Sequence, residues 1–183
     1  MATYVPAFKI TEPYGPTTLS GSNQGIHERS TTQTYRLGTR VWANDPVLGR
    51  SEFVYCKGVA STAASELIQI NGDFTTVRAA GGTVKGSVGV AMSASVANEY
   101  GWYCIFGRCY CLIAADVAGD LPGYATATAG VFADDIVAGS QIVGSQLQNG
   151  TDALGSAIPD TTDTLPAHTT VVNLWYPCVI KAV

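Results

Sequence analysis

The amino-acid sequence predicts an all-β protein: a single β-sandwich or small β-barrel of about eight or nine short strands, with an extended N-terminal arm. Three observations carry this expectation. Strand-like alternation recurs in short runs from Ser51 onward, each run closed by turn residues. No segment keeps apolar residues at i, i+3, i+4 and i+7 for three turns; "VASTAASEL" comes nearest and supports a turn or two. Composition agrees, with 20 glycines and only 13% charged residues in 183. Tight turns need glycine, and so small a charged share suits a surface that is partly covered by another protein.

Taken in order, residues 1–37 form the predicted arm and residues 38–183 the β-domain. The stretch "EPYGPTTLSGSNQGIHERSTTQTYRLGTR" is polar and rich in Thr and Ser, without strand alternation until about Thr34–Trp42. Such a segment is either disordered or ordered by lying on something else. Its scattered aromatics favour an arm with anchors. "EFVYCKG" then alternates Phe53 and Tyr55 against Val54 and Cys56. "ELIQIN" stops at Asn71-Gly72, a strong turn dipeptide, and "DFTTVRA" leads to Gly81-Gly82. "GSVGVAMSAS" reads as a strand with close backbone approach at its glycines. "GWYCIFGRCYCL" reads as a hairpin turning at Gly107-Arg108, because glycine suits the first position of a type II′ turn. "GYATAT", "SQIVGSQL" and "TVVNLWYPCVIK" complete the set, the last two separated by a polar connection over residues 149–166.

The net charge of −4 is unevenly spread. Residues 1–58 hold six basic and four acidic side chains, whereas residues 109–180 hold seven aspartates and neither Lys nor Arg. An acidic second half speaks against nucleic acid as a partner, since phosphate contacts need a basic face. No apolar run approaches a membrane span, and "MATYVPAFKI" lacks the basic and apolar regions of a secretory signal. The expectation is a chain made in the cytoplasm, with no membrane partner and reduced thiols.

Three of the five cysteines, Cys104, Cys109 and Cys111, fall within eight residues. Their spacing is no standard zinc knuckle, and neither His27 nor His168 has a C-x-x-C companion. A redox pair would want C-x-x-C at a helix start, which is absent. In the hairpin reading Cys104 faces Cys111, but across a wide, hydrogen-bonded pair that strains a disulfide. The remaining reading is that these thiols are small buried hydrophobes beside Trp102 and Phe106. Catalytic parts are equally scarce: there is no G-x-S-x-G elbow and no phosphate-cradling loop. His168 with Asp160 or Asp163 sits in a Pro-rich loop, and Asp134-Asp135 lacks calcium-loop spacing. Neither a cofactor, a metal nor a catalytic residue is expected.

Three motifs carry a resemblance. They are "GRSEFVYCKGVAST" at 49–62, "ANEYGW" at 97–102 and "YATATAGVFADDIVAG" at 124–139. In this order the chain resembles small structural proteins of tailed bacteriophages, of the kind that decorate or cement capsids. The likeness spans roughly residues 38–147, and the first 37 residues lie outside it. This chain departs by carrying cysteines where Val or Ala is expected after Gly-Trp. The resemblance implies a non-enzymatic virion protein, often a homotrimer, on the outer surface of the head. There it would bridge subunits of the major capsid protein. For such an interface the candidate anchors are Tyr4, Phe8, Tyr14 and Tyr35, with Arg29, Arg36 and Arg40 as ionic partners; Trp102 and Trp175 are expected in the core. A head- or tail-associated receptor- or carbohydrate-binding module is the alternative. Its aromatic platform would be Tyr100, Trp102 and Tyr103, beside Asn98 and Glu99.

Overall fold

The structure, a computed structural model, describes residues 9–10, 25–27, 29–45, 48–95, 97–114, 117, 121–136, 139–148 and 169–179. Every regular element among them is a strand, as the alternation predicts. The strands are β1 (Lys9–Ile10), β2 (Arg29–Ser30), β3 (Arg40–Asp45), β4 (Gly49–Lys57), β5 (Leu67–Ile70), β6 (Thr76–Arg78), β7 (Gly86–Ala91), β8 (Tyr100–Leu112), β9 (Pro122–Ala125), β10 (Phe132–Ala133), β11 (Gln141–Leu147) and β12 (Thr169–Val179). Three of the twelve are two-residue pairings, so the count of longer strands meets the expectation. All strand pairings are antiparallel, in the order β1-β3-β4-β8-β7-β12-β11-β9-β10, with β5 and β6 extending from β7 and β2 pairing β8.

The hairpin expected at Gly107-Arg108 is not formed. β8 runs unbroken for 13 residues, and Cys104 and Cys111 lie along one strand rather than across a turn. Its first half pairs β4 and β7, and its second half pairs β12 from Phe106↔Trp175 to Leu112↔Thr169. Gly107 marks the changeover with φ +90°. A Cβ there would stand 2.7 Å from the Arg50 carbonyl, so the strands approach as only glycine allows. β12 changes partner beside it. Thr169–Trp175 pair β8, and Cys178 and Val179 pair β7. Between them Tyr176 has φ +48°. β11 shifts register between Val143 and Ser145, where Gly144 makes room for the Trp175 carbonyl. These irregularities lie side by side and crease the sheet, the usual way a long strand serves two layers.

The crease also resolves the cysteines. Before it, Trp102 and Cys104 face the main core and Tyr103 and Ile105 face away. After it the parity changes, so Cys109, Cys111 and Ile113 return to the same core as Cys104. All five cysteines are free thiols, four of them buried and Cys178 partly so. Burial pushes the Cys56 thiol up to about 12 and raises Cys111 and Cys109 well above the ordinary range. For Cys109 the neighbouring Cys104 adds to the effect. They are held neutral, as apolar fillers.

The main core gathers Phe53, Leu67, Val88, Phe132, Ile142, Leu147, Val172 and Leu174. A second, smaller cluster of Val54, Cys56, Ile68, Ile70, Ala91, Tyr103 and Ile105 occupies the opposite face of the β4-β8-β7-β5 region. That second cluster positions the site.

Candidate docking face

The second cluster is open on one side. There Val54, Ile70 and Ile105 help line a cleft of about 450 Å³. Its rim is formed by Arg40, the Asn71–Gly72 turn, Phe74, Lys85, and Tyr176 with Pro177. The sequence builds this locally. β4 is buried on both faces because Phe53 and Tyr55 serve the main core while Val54 and Cys56 serve this one. Gly89 of β7 leaves its place to Ile70 and Ile105, whose side-chain carbons would lie 3.1 and 3.4 Å from a Cβ.

Two rim residues are aromatics held at positive φ, Phe74 at +61° and Tyr176 at +48°. Bulky side chains rarely adopt this conformation, and strain of this kind collects at binding surfaces. Tyr176 is held by its neighbours. Its hydroxyl donates to Glu52 Oε2 at 2.7 Å, its ring centroid stands 5.1 Å from that of Phe106, and the Arg40 guanidinium lies 5.8 Å over the ring. The bond to Glu52 raises the phenol above its ordinary pKa. Arg40 also reaches Glu52 at 3.6 Å. The aromatic row continues from Phe106 to Trp42, over which Arg50 stacks at 4.4 Å. Tyr176 and Trp175 nevertheless remain 51% and 50% exposed. Trp175, expected in the core, is thus at the surface: Val172 and Leu174 take the core face of β12, and the alternation turns Trp175 outward.

The other sequence candidates separate into three groups. Tyr4, Phe8 and Tyr14, with His168, Asp160 and Asp163, lie outside the described residues. Arg29 and Tyr35 make contacts within the chain. Arg29 pairs with Gly101 in the β2–β8 ladder, donates to the Ala94 carbonyl at 2.8 Å and reaches Glu99 at 3.7 Å. Tyr35 packs edge-on against Tyr55 and tilts against Trp102. Beside them Ile26 is fully buried and His27 Nδ1 donates to the Met92 carbonyl at 2.7 Å, so residues 25–37, as far as described, lie on the β-domain. Arg36 is exposed, and Arg40 stands on the cleft rim. Of the sequence candidates among the described residues, only Arg40 belongs to the cleft. The platform expected for sugar binding is not presented: Trp102 and Tyr103 are buried and only Asn98 beside them is exposed. Tyr100 instead helps line a smaller cleft of about 240 Å³ with Arg29, Tyr35 and Tyr55.

Sequence reasoning missed Val54, Ile105, Phe74 and Tyr176 as a group. The one available signal was the unbroken apolar run "FVYC", too apolar for a strand with one wet face. Chemically, the cleft offers an apolar floor, cations at the rim and hydrogen-bonding groups at its lip. Among the described residues, no group of three or more His, Cys, Asp or Glu is placed to hold a metal ion. No known protein family matches the chain, and no curated protein matches it either.

Proposed function

We propose that this chain is a non-enzymatic structural protein of a tailed-bacteriophage particle. It sits as a homotrimer on the outer surface of the head and stabilises the shell by bridging subunits of the major capsid protein. The reading rests on the three motifs and is carried by one observation: a low-charge β-domain keeps an apolar cleft with strained aromatics at its lip. A surface of this composition suits coverage by another protein. Two of the motifs meet directly, with Tyr55↔Trp102 and Lys57↔Tyr100 paired across β4 and β8. Shell contact is assigned to the N-terminal anchors Tyr4, Phe8 and Tyr14, with exposed Arg36 as an ionic partner. Each footprint need contribute little, because a trimer engages several subunits at once and binds only the assembled shell.

The test is co-pelleting with emptied heads that lack the protein, comparing the full chain with one that begins at Gly25. Starting there keeps the buried Ile26 and the β2–β8 pairing, both of which a cut at Gly38 would remove. Saturable pelleting that is lost with the first 24 residues supports the reading. Pelleting that survives moves the footprint onto the β-domain. No pelleting of the full chain overturns the proposal.

A further inference from the structure

The cleft has a counterpart on the same chain. Ile136 is 85% exposed, far above the other large exposed apolar residues, and follows exposed Asp135 just beyond β10. It is a hydrophobic knob with an acidic shoulder. The cleft is the complementary shape, an apolar floor with cations at its edge. Its charges can be traced individually. Arg40 is engaged by Glu52, and Asp73, next to the lining residues Gly72 and Phe74 but outside the lining itself, accepts from the Thr75 amide at 3.0 Å and from its hydroxyl. Lys85, exposed on the rim, makes no ion pair among the described residues, and neither does Asp135. Two opposite charges without ion partners thus each stand beside an apolar feature that needs a partner. Ile136 is not among the residues lining its own chain's cleft and is open to solvent, so the match is made between chains.

We infer that Ile136 of one copy seats in the Val54–Ile70–Ile105 cleft of a second copy, with Asp135 meeting Lys85. Knob and cleft are different surfaces, so the contact is heterologous, and a closed ring is the geometry that satisfies every knob and every cleft. The knob is the anchor of the interface and the aromatic lip of Tyr176 and Phe74 its wall, the arrangement in which a few central residues dominate binding. This inference rests on the assembly reading above and names the self-contact that reading requires.

The experiment is sedimentation equilibrium on the full chain and on two variants, Ile136→Glu and Lys85→Glu. Both positions are exposed, and unchanged circular dichroism verifies the fold. The wild type is expected to be oligomeric, with self-association about 10- to 100-fold weaker in Ile136→Glu, the loss expected for an aliphatic side chain left unburied. Each variant keeps one half of the contact, so mixing them restores a one-contact heterodimer that neither forms alone. The double variant Lys85→Glu with Asp135→Lys recovers the association that Lys85→Glu loses. A wild-type mass unchanged in Ile136→Glu overturns the inference, as does a monomeric wild type or a mixture without heterodimer. An anionic apolar dye that fills the cleft of the wild-type oligomer does so too, by showing that no second copy covers it. Shell pelleting separates the two readings. A monomer that still pellets sinks only the interface, and an oligomer that does not pellet sinks only the shell.

Discussion

Replacing Gly107 by alanine tests the crease. The residue sits at φ +90°, and a Cβ would stand 2.7 Å from the Arg50 carbonyl and 2.8 Å from Ser51 Cα, with the Ser51 hydroxyl closer still. The first two are backbone atoms of the paired strand β4, which cannot yield without opening the β4–β8 ladder. Left-handed backbone costs a non-glycine residue about 1–2 kcal/mol, and overpacking a tight contact adds about 1–3, giving about 2–5 kcal/mol in all. Gly49 supplies the control, with φ +85° and no atom of the described residues within 4 Å of the point a Cβ would occupy. Gly49→Ala meets only the backbone cost, about 1–2 kcal/mol. Urea unfolding at one fixed protein concentration reads both. With a slope of about 2 kcal/mol per molar, the midpoint falls by about 1–2.5 M for Gly107→Ala and by about 0.5–1 M for Gly49→Ala. Equal shifts, or a Gly107→Ala protein as stable as the wild type, would refute the close approach that creases the sheet.

The buried pair of Glu66 and Arg78 yields a second prediction. Arg78 Nε donates to Glu66 Oε2 at 2.8 Å, Nη2 donates to Oε1, and the Ala63 amide also donates to Oε2. Glu66 is deeply buried while Arg78 reaches solvent, so Arg78→Met strands the buried carboxylate and costs about 3–5 kcal/mol, against about 1–3 for Glu66→Gln; thermal melts that reverse this order would contradict it. At pH 8 a thiol reagent should label Cys178 readily and the other four cysteines only on unfolding; fast labelling of Cys109 or Cys111 would contradict their burial. The same burial fixes a pH dependence. Above pH 9 the unfolded chain releases thiol protons that folded Cys56, Cys109 and Cys111 retain, so stability falls as pH rises toward 12. Each thiol contributes up to about 1.4 kcal/mol per pH unit. Replacing the three by valine or alanine should flatten that fall in urea midpoints measured from pH 8 to 11.

The strands were legible because short β-rich runs end at turn residues: "EFVYCKG", "ELIQIN" and "SQIVGSQL" became β4, β5 and β11 within a few residues. β8 was misread for a local reason. Gly-Arg between two apolar runs has the composition of a hairpin turn, and only the distant strands β4 and β12 decide that the chain continues. Trp175 was misplaced because its size suggests the core, whereas the alternation along β12 gives the core face to Val172 and Leu174 and leaves Trp175 on the other. The docking face was illegible because its floor comes from three strands separated by loops, and nothing local joins Val54 to Ile70 and Ile105. Arg29 and Tyr35 show the converse. Composition marks a residue capable of holding a partner, but not that the partner is the same chain.

The crease also has a mechanical meaning. β8 and β12 each belong to both halves of the sheet, so covalent backbone crosses the fold line twice in opposite directions. A load that pries the halves apart is borne along these two chains in tension, and hydrogen bonds fail only if a whole strand is sheared lengthwise past its neighbour. Peeling, which breaks one bond at a time, has no free end at the fold line from which to begin. The domain is therefore expected to behave as a stiff fastener, resisting stretch across the crease and giving way first at its β1 edge, which among the described residues is held by a two-residue pairing.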